Sequence, residues 1–303
     1  MNVIKKRFNT IILKSIAIVL VIVATFIGYK NLYKELNDNT DINNEKVKEE
    51  KTDIDVSYKE YKNTSNFKLE SLDRYIAYHN THKEYDYEKI VTYVNIGLDK
   101  EFYSYIGNAN LDKGKLVLCN KYLKLPDNYE PDDLEDISNE YFINGNPNVR
   151  KMRKEAKDAF ERLSRASVEA GYSVYGQSAY RPYNMQVNLY NRAVNSLGRA
   201  QADIDTARPG HSEHQTGLTI DVSSTKDGNM LSFEDTDSFD WMQNNAHKYG
   251  FILRYRKDKV SITGFMYESW HYRYVGIDVA TDMHDNYPDL SYEEYYYKFI
   301  DNK

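Results

Sequence analysis

The stretch HSEHQTGLTIDV, residues 211–222, places two histidines three residues apart and an aspartate seven beyond the second, with Gly217 between them. A polar loop running into a strand would account for the letters. A metal centre accounts for them more fully, because catalytic zinc takes three ligands from His, Asp or Glu and keeps a fourth position open. His211, His214 and Asp221 are the local candidates, and Gly217 lets the chain turn so that His214 and Asp221 converge. The spacing alone is weak, since many loops carry it by chance, so the remaining parts must come from elsewhere in the chain.

They are offered by YESWHYRYVG, residues 267–276, where Glu268 precedes His271 by three residues. If His271 enters a strand beside the one carrying Asp221, it completes a three-ligand set, and Glu268 then reaches water at the open position. Zinc lowers the pKa of such a water to about 7, and a nearby carboxylate takes its proton during attack on a carbonyl. Each residue also has a plainer reading. Asp221 caps a turn, Glu268 pairs with Arg273, and His271 beside Trp270 is a core histidine. Together the two clusters supply a full ligand set and a base, which the plainer readings leave unexplained.

The chain ends narrow the setting. Lys5, Lys6, Arg7 and Lys14 precede an uncharged run from Ser15 to Tyr29. A membrane span needs about 20 apolar residues, reached here if Lys14 snorkels to the interface. No small-x-small cleavage site follows, so residues 10–29 read as a signal anchor, with residues 1–9 cytoplasmic and the rest outside. Setting aside the five cations of residues 1–30 from the total of 40 leaves 35 basic residues against 46 acidic ones, a net charge of −11. Nucleic acid is excluded as a partner by that balance. Cys119 is the single cysteine, so no intrachain disulfide forms and stability rests on the core or a bound ion.

Residues 30–65 are rich in Asn, Asp, Glu and Lys and read as a polar stalk. Residues 66–110 form a helical lead-in, with LESLDRYIAYHN and YEKIVTYVNIGLD amphipathic. Residues 111–303 form the main domain. LVLCNKYLKLP predicts a strand followed by a Pro-punctuated loop. Val149, Met152, Ala156, Ala159, Phe160, Leu163 and Ala170 recur at helical spacing, so one helix is expected from Pro147 to Ala170, stopped by Gly171. YSVYGQSAY, Leu218 to Val222, FILRY and WHYRYVG predict strands; Tyr183 to Ser196 and DSFDWMQNNAHKY predict helices. The class is α+β, with helices around a small, mostly antiparallel sheet.

From about Leu116 to its end the chain resembles the zinc D-Ala-D-Ala carboxypeptidases of the VanY type and the similar L,D-carboxypeptidases that trim bacterial peptidoglycan. LVLCNKYLKLP, SAYRPYNMQ, GHSEHQTGLTIDV, YGFILRY, SITGFMYESWHYRYVG and SYEEYY occur in the family's order. The resemblance implies the zinc D-Ala-D-Ala peptidase (hedgehog-like) fold and one Zn2+ held by His214, Asp221 and His271. It implies Glu268 as catalytic base, and it makes His211 a rim residue rather than a ligand. A free terminal carboxylate is best recognised by a fixed, bidentate cation. The resemblance assigns that contact to Arg181, helped by Gln186, and matches Ser212 to a substrate-contacting serine. Arg254 and Tyr255 match a family Arg-Tyr pair without a clear role. Two departures are Ala179, where the family often has glycine, and Ser269, where it often has proline; neither removes a chemical group.

The function these features imply is removal of the C-terminal D-Ala from peptidoglycan stem pentapeptides or their lipid-linked precursor, at the outer membrane face, with lowered glycopeptide susceptibility as a consequence. One alternative is L,D-carboxypeptidase action on tetrapeptide stems. Another is a non-catalytic, zinc-containing peptide-binding module, against which Glu268 and Arg181 both speak.

Overall fold

A computed structural model of the chain describes residues 58–224 and 230–301. The elements of the fold belong to the compact unit Thr64–Lys303. No helix among the described residues is long and apolar enough to cross a membrane. Residues 10–29, read as an anchor, and residues 30–57 of the polar stalk lie outside the described residues.

The described strands are β1 (Gly107–Asn108), β2 (Leu123–Lys124), β3 (Leu134–Asp136), β4 (Lys151–Arg153), β5 (Tyr175–Ser178), β6 (Thr219–Ser223), β7 (Phe251–Tyr255) and β8 (Glu268–Tyr274). The last four form one sheet in the order β5-β6-β8-β7, with every neighbouring pair antiparallel. The expected α+β class is what forms. Strand alternation divides the sheet into two faces. Ile220 and Val222 of β6 and Tyr272 and Tyr274 of β8 join the main core. There they meet the helix Lys154–Glu169, whose buried Ala156, Ala159, Phe160 and Leu163 recur at helical spacing. Asp221 and His271, out of phase with those core residues, belong to the opposite face.

Two sequence expectations need correction. The helix predicted from Pro147 begins only at Lys154, because Pro147–Val149 is a single 3-10 turn and Lys151–Arg153 is β4, paired with β3. Val149 and Lys151 also give their carbonyls to Ala179 and Tyr180, so long-range pairing overrides the helical spacing of Val149 and Met152. LVLCNKYLKLP is not a strand along its length. Only Leu123 and Lys124 pair, and they do so parallel to β1. The Asn120 side chain accepts from the backbone N–H groups of Tyr122 and Leu123, closing a turn that interrupts any ladder.

The C-terminal helix Tyr292–Phe299 is fixed by a capping box between Ser291 and Glu294. It packs against the lead-in helix Tyr87–Ile96. Its Tyr292, Tyr295, Tyr296 and Tyr297 share a second core cluster with Ile96, Tyr122 and Val275. Part of the tyrosine wealth of the chain is therefore core packing.

Candidate active site

Asp221 and His271 are directly paired across β6 and β8. His271 Nδ1 lies 3.3 Å from Asp221 Oδ1, and His214 Nε2 lies 3.3 Å from Asp221 Oδ2. His214 comes from the 3-10 turn Glu213–Thr216, and Gly217 carries the chain from that turn into β6. Gly217 has φ +68°, a backbone conformation that favours glycine, and a Cβ there would stand 2.8 Å from Leu134 Cδ2, which would have to shift. The structure thus brings the three ligand candidates together, and all three are buried.

The ring of His214 is oriented by the surrounding backbone. His214 Nδ1 lies 2.7 Å from the Ala179 carbonyl, so Nδ1–H donates to it and Nε2 is left with its lone pair toward Asp221. The acceptor is a main-chain group, which explains why alanine serves at position 179. Burial lowers the pKa of His214 despite the nearby Asp221 carboxylate. Burial pushes the Asp221 carboxyl up, but the adjoining His214 and His271 imidazoles outweigh it and hold it well below the usual range. His271 goes the other way. Burial alone would lower it, yet contacts with Asp221, Glu213 and Glu268 raise it well above the ordinary imidazole range. Carboxylates crowded round one imidazole make a negative pocket, the sign a divalent cation needs. Asp221 Oδ1 is fully buried without a hydrogen-bond partner. Such an orphan beside two imidazole nitrogens fits a cation of zinc's preferences.

Glu268 Oε2 lies 3.2 Å from His271 Nδ1. Residues three apart on a regular strand point to opposite faces. The ladder is not regular here: β7 pairs Leu253 with Tyr272 and Tyr255 with Glu268, so β8 uses four residues where β7 uses two. Tyr255, the partner of Glu268, packs its ring against that of His271, so past the irregularity Glu268 shares the face of His271. Sequence spacing had no means of showing that irregularity.

Arg181 stands at the other side of the cluster, with Nη2 3.8 Å from Asp221 Oδ2. Its Nη1 donates to Gln186 Oε1 at 2.9 Å, its Nη2 to Ser178 Oγ at 3.3 Å, and Gln186 Nε2 in turn donates to the Ala207 carbonyl. Gln186 is therefore placed to orient the guanidinium. Arg181, Gln186, Ser212, His214, Asp221, Glu268 and His271 all line one cleft of about 280 Å³. Trp270, Phe265 and Tyr255 add aromatic walls to that cleft. His211 lies apart from the ligand cluster: its Nδ1–H donates to the Asn120 carbonyl at 2.7 Å, and its ring meets Tyr103 edge-on. Arg254 also turns away from the cleft, into a fully buried network with Glu213 and Glu293. Tyr255 packs its ring 4.6 Å from that of His271.

A second group of possible donors, His247, His284 and Asp285, lies elsewhere. The two imidazoles stack 3.7 Å apart and nearly parallel. In-plane lone pairs of parallel rings do not meet at one point, so this group lacks the convergence of the first.

Known proteins resemble this chain in sequence and fold. Residues 149–277 match the family model described as VanY, D-alanyl-D-alanine carboxypeptidase. The Bacillus subtilis (strain 168) protein YodJ is 43% identical over 185 residues, covering 60% of this chain and 67% of its own length. The solved structure of the LD-carboxypeptidase LdcB is similar at 40% identity and TM-score 0.59, covering 64% of this chain and 90% of that one. A variant of VanY, the vancomycin resistance D,D-pentapeptidase of a VanB-type cassette, solved with Zn(II), is similar at 30% identity and TM-score 0.50, covering 60% and 98%. With the paired strands, the cleft and these likenesses in agreement, the chain belongs to the VanY D-alanyl-D-alanine carboxypeptidase family of hydrolases.

Proposed function

We propose that this protein is a zinc-dependent carboxypeptidase that removes the C-terminal D-Ala from peptidoglycan stem pentapeptides. The observation that carries the reading is the convergence of His214, Asp221 and His271 in one cleft with Glu268 and Arg181. His214 through Nε2, Asp221 through its carboxylate and His271 through Nδ1 would hold a single Zn2+. When bound, zinc supplies Lewis acidity toward a carbonyl oxygen and toward water.

The chain's own residues do the rest. Arg181, steadied by Gln186 and Ser178, donates to both oxygens of the peptide's terminal carboxylate and fixes which bond lies over the cluster. Ser212 contacts the peptide from the lip of the same cleft. Glu268 takes the proton of the attacking water and passes it to the leaving amine nitrogen, which departs neutral as D-alanine. Trp270 and Phe265 limit water access around the reacting bond.

Incubating synthetic penta-, tetra- and tripeptide stems with the protein and following mass tests this. Loss of one alanine from the pentapeptide, abolished by chelator and restored by zinc, is expected. Tetrapeptide cleavage alone would favour L,D-carboxypeptidase action, a reading the likeness to LdcB supports. No cleavage of any stem would favour the non-catalytic binding module. The proposal includes membrane anchoring through residues 10–29, checked by fractionation of expressing cells. It also includes lowered glycopeptide susceptibility, since trimming removes the D-Ala-D-Ala ends those drugs bind.

A further inference from the structure

Glu213 sits between Ser212 and His214, yet it is turned away from solvent and 1% exposed. Its Oε1 accepts from Arg254 Nε at 2.9 Å and from Arg273 Nη1 at 2.9 Å. Arg254 is clamped in turn by Glu293, with Nη1 and Nη2 at 2.9 and 2.6 Å from the two carboxylate oxygens. Arg273 gives its other nitrogens to the carbonyls of Tyr274, Lys115 and Val117. All four charged side chains have no solvent exposure where they pair. One oxygen is left over. Glu213 Oε2 is buried without a hydrogen-bond partner, and so is His271 Nε2. These two orphans lie 3.7 Å apart, a little beyond hydrogen-bond length.

The other nitrogen of His271 has a different task. Nδ1 faces Asp221 and Glu268, the side on which the proposed cation lies. An imidazole that offers Nδ1 to a cation must carry its proton on Nε2, and a buried N–H needs an acceptor. Glu213 Oε2 is the acceptor that stands opposite. We infer that Glu213 is a positioning residue, which holds His271 in the Nε2–H tautomer and aims Nδ1 into the cleft. The inference rests on His271 being a ligand, as proposed above. Arg254, Arg273 and Glu293 keep the carboxylate from swinging, so the C-terminal helix is tied to the cleft through Glu293, Arg254, Glu213 and His271 in turn. A ligating histidine whose second nitrogen is held by a carboxylate is a known way to set ring orientation and basicity.

The substitution Glu213→Gln tests this sharply. A glutamine can still accept from the arginines through its oxygen, which leaves its NH2 toward His271 Nε2. A donor there favours the opposite tautomer and puts the proton on Nδ1. Zinc affinity of the full chain, measured by competition with a chromophoric chelator, is expected to fall roughly 10- to 100-fold. In Glu213→Asp, which keeps the negative acceptor, it falls less. Nitrogen-15 spectra of histidine-labelled, zinc-loaded wild-type protein are expected to show His271 protonated at Nε2, a readout that needs no variant and survives a failure of Glu213→Gln to fold. His271 protonated at Nδ1, or unchanged zinc affinity in a folded Glu213→Gln protein, overturns the inference. Wild-type protein that binds no zinc overturns the metal reading itself, so the two failures are distinguishable.

Discussion

Asp221 and His271 face one another as register partners on β6 and β8, with Asp221 Oδ1 3.3 Å from His271 Nδ1. Two chain segments fifty residues apart are thus locked side by side by main-chain pairing, and their ligand atoms need little further ordering to meet. A preformed donor set avoids much of the conformational entropy that a flexible site loses on binding.

Glu268 sits beside His271, and the proposed mechanism gives it the acid–base step rather than a place in the ligand set. Glu268→Ala should reduce D-Ala release by about 10²- to 10⁴-fold while zinc content stays near that of the wild type. Parallel turnover and elemental analysis measure both. Loss of zinc together with activity would show that Glu268 acts on the metal.

Arg181 is held by Gln186 and Ser178 and faces the cleft. Arg181→Ala should weaken kcat/KM for a peptide with a free C-terminal carboxylate by roughly 10- to 100-fold, the worth of hydrogen bonds to a charged partner. The same peptide with an amidated end should be cleaved poorly by the wild type and no worse by the variant. Equal sensitivity of the two peptides to the substitution would remove Arg181 from carboxylate recognition.

The buried quartet of Glu213, Arg254, Arg273 and Glu293 predicts a stability effect separable from catalysis. Removing one member strands a desolvated charge, at a cost of about 3–5 kcal/mol. Glu293→Ala should therefore lower the urea midpoint strongly, although Glu293 is absent from the cleft lining. A shift under about 1 kcal/mol would mean that water or relaxation repairs the gap.

His211 predicts an acid sensitivity. Burial pushes its pKa down to about 4, even though its Nδ1–H bond to Asn120 opposes the shift. The unfolded chain titrates near about 6.5, so between those values the unfolded state binds more protons and stability rises with pH. The full contribution is present above about 6.5, and up to about 3 kcal/mol is lost as pH falls toward 4. His211→Asn should flatten the pH dependence of unfolding free energy in that window. An unchanged slope would place the acid sensitivity elsewhere.

The sequence grouped the three ligand candidates that the fold places side by side, because His214 and Asp221 are local and His271 lies in a strand whose apolar alternation is legible. It carried the helix Tyr183–Leu197 and the sheet strands for the same reason. It misplaced residues 147–153, where helical spacing was real but β3 and the carbonyl contacts of Val149 and Lys151 took precedence. Glu213 lies beside His214 in the same stretch, but nothing in its spacing marks it. Its role depends on Arg254 and Arg273 arriving from β7 and β8, a convergence only the fold makes visible. One signal stands in the sequence: arginines flanked by large apolar side chains in FILRY and HYRYV need buried acidic partners.

Anomalous diffraction at the zinc edge from crystals of the zinc-loaded protein tests the central claim most directly. One peak is predicted among His214 Nε2, the Asp221 carboxylate and His271 Nδ1, with Glu268 alongside and outside bonding distance. A peak at the His247–His284 pair instead, or none within reach of those three side chains, would contradict it.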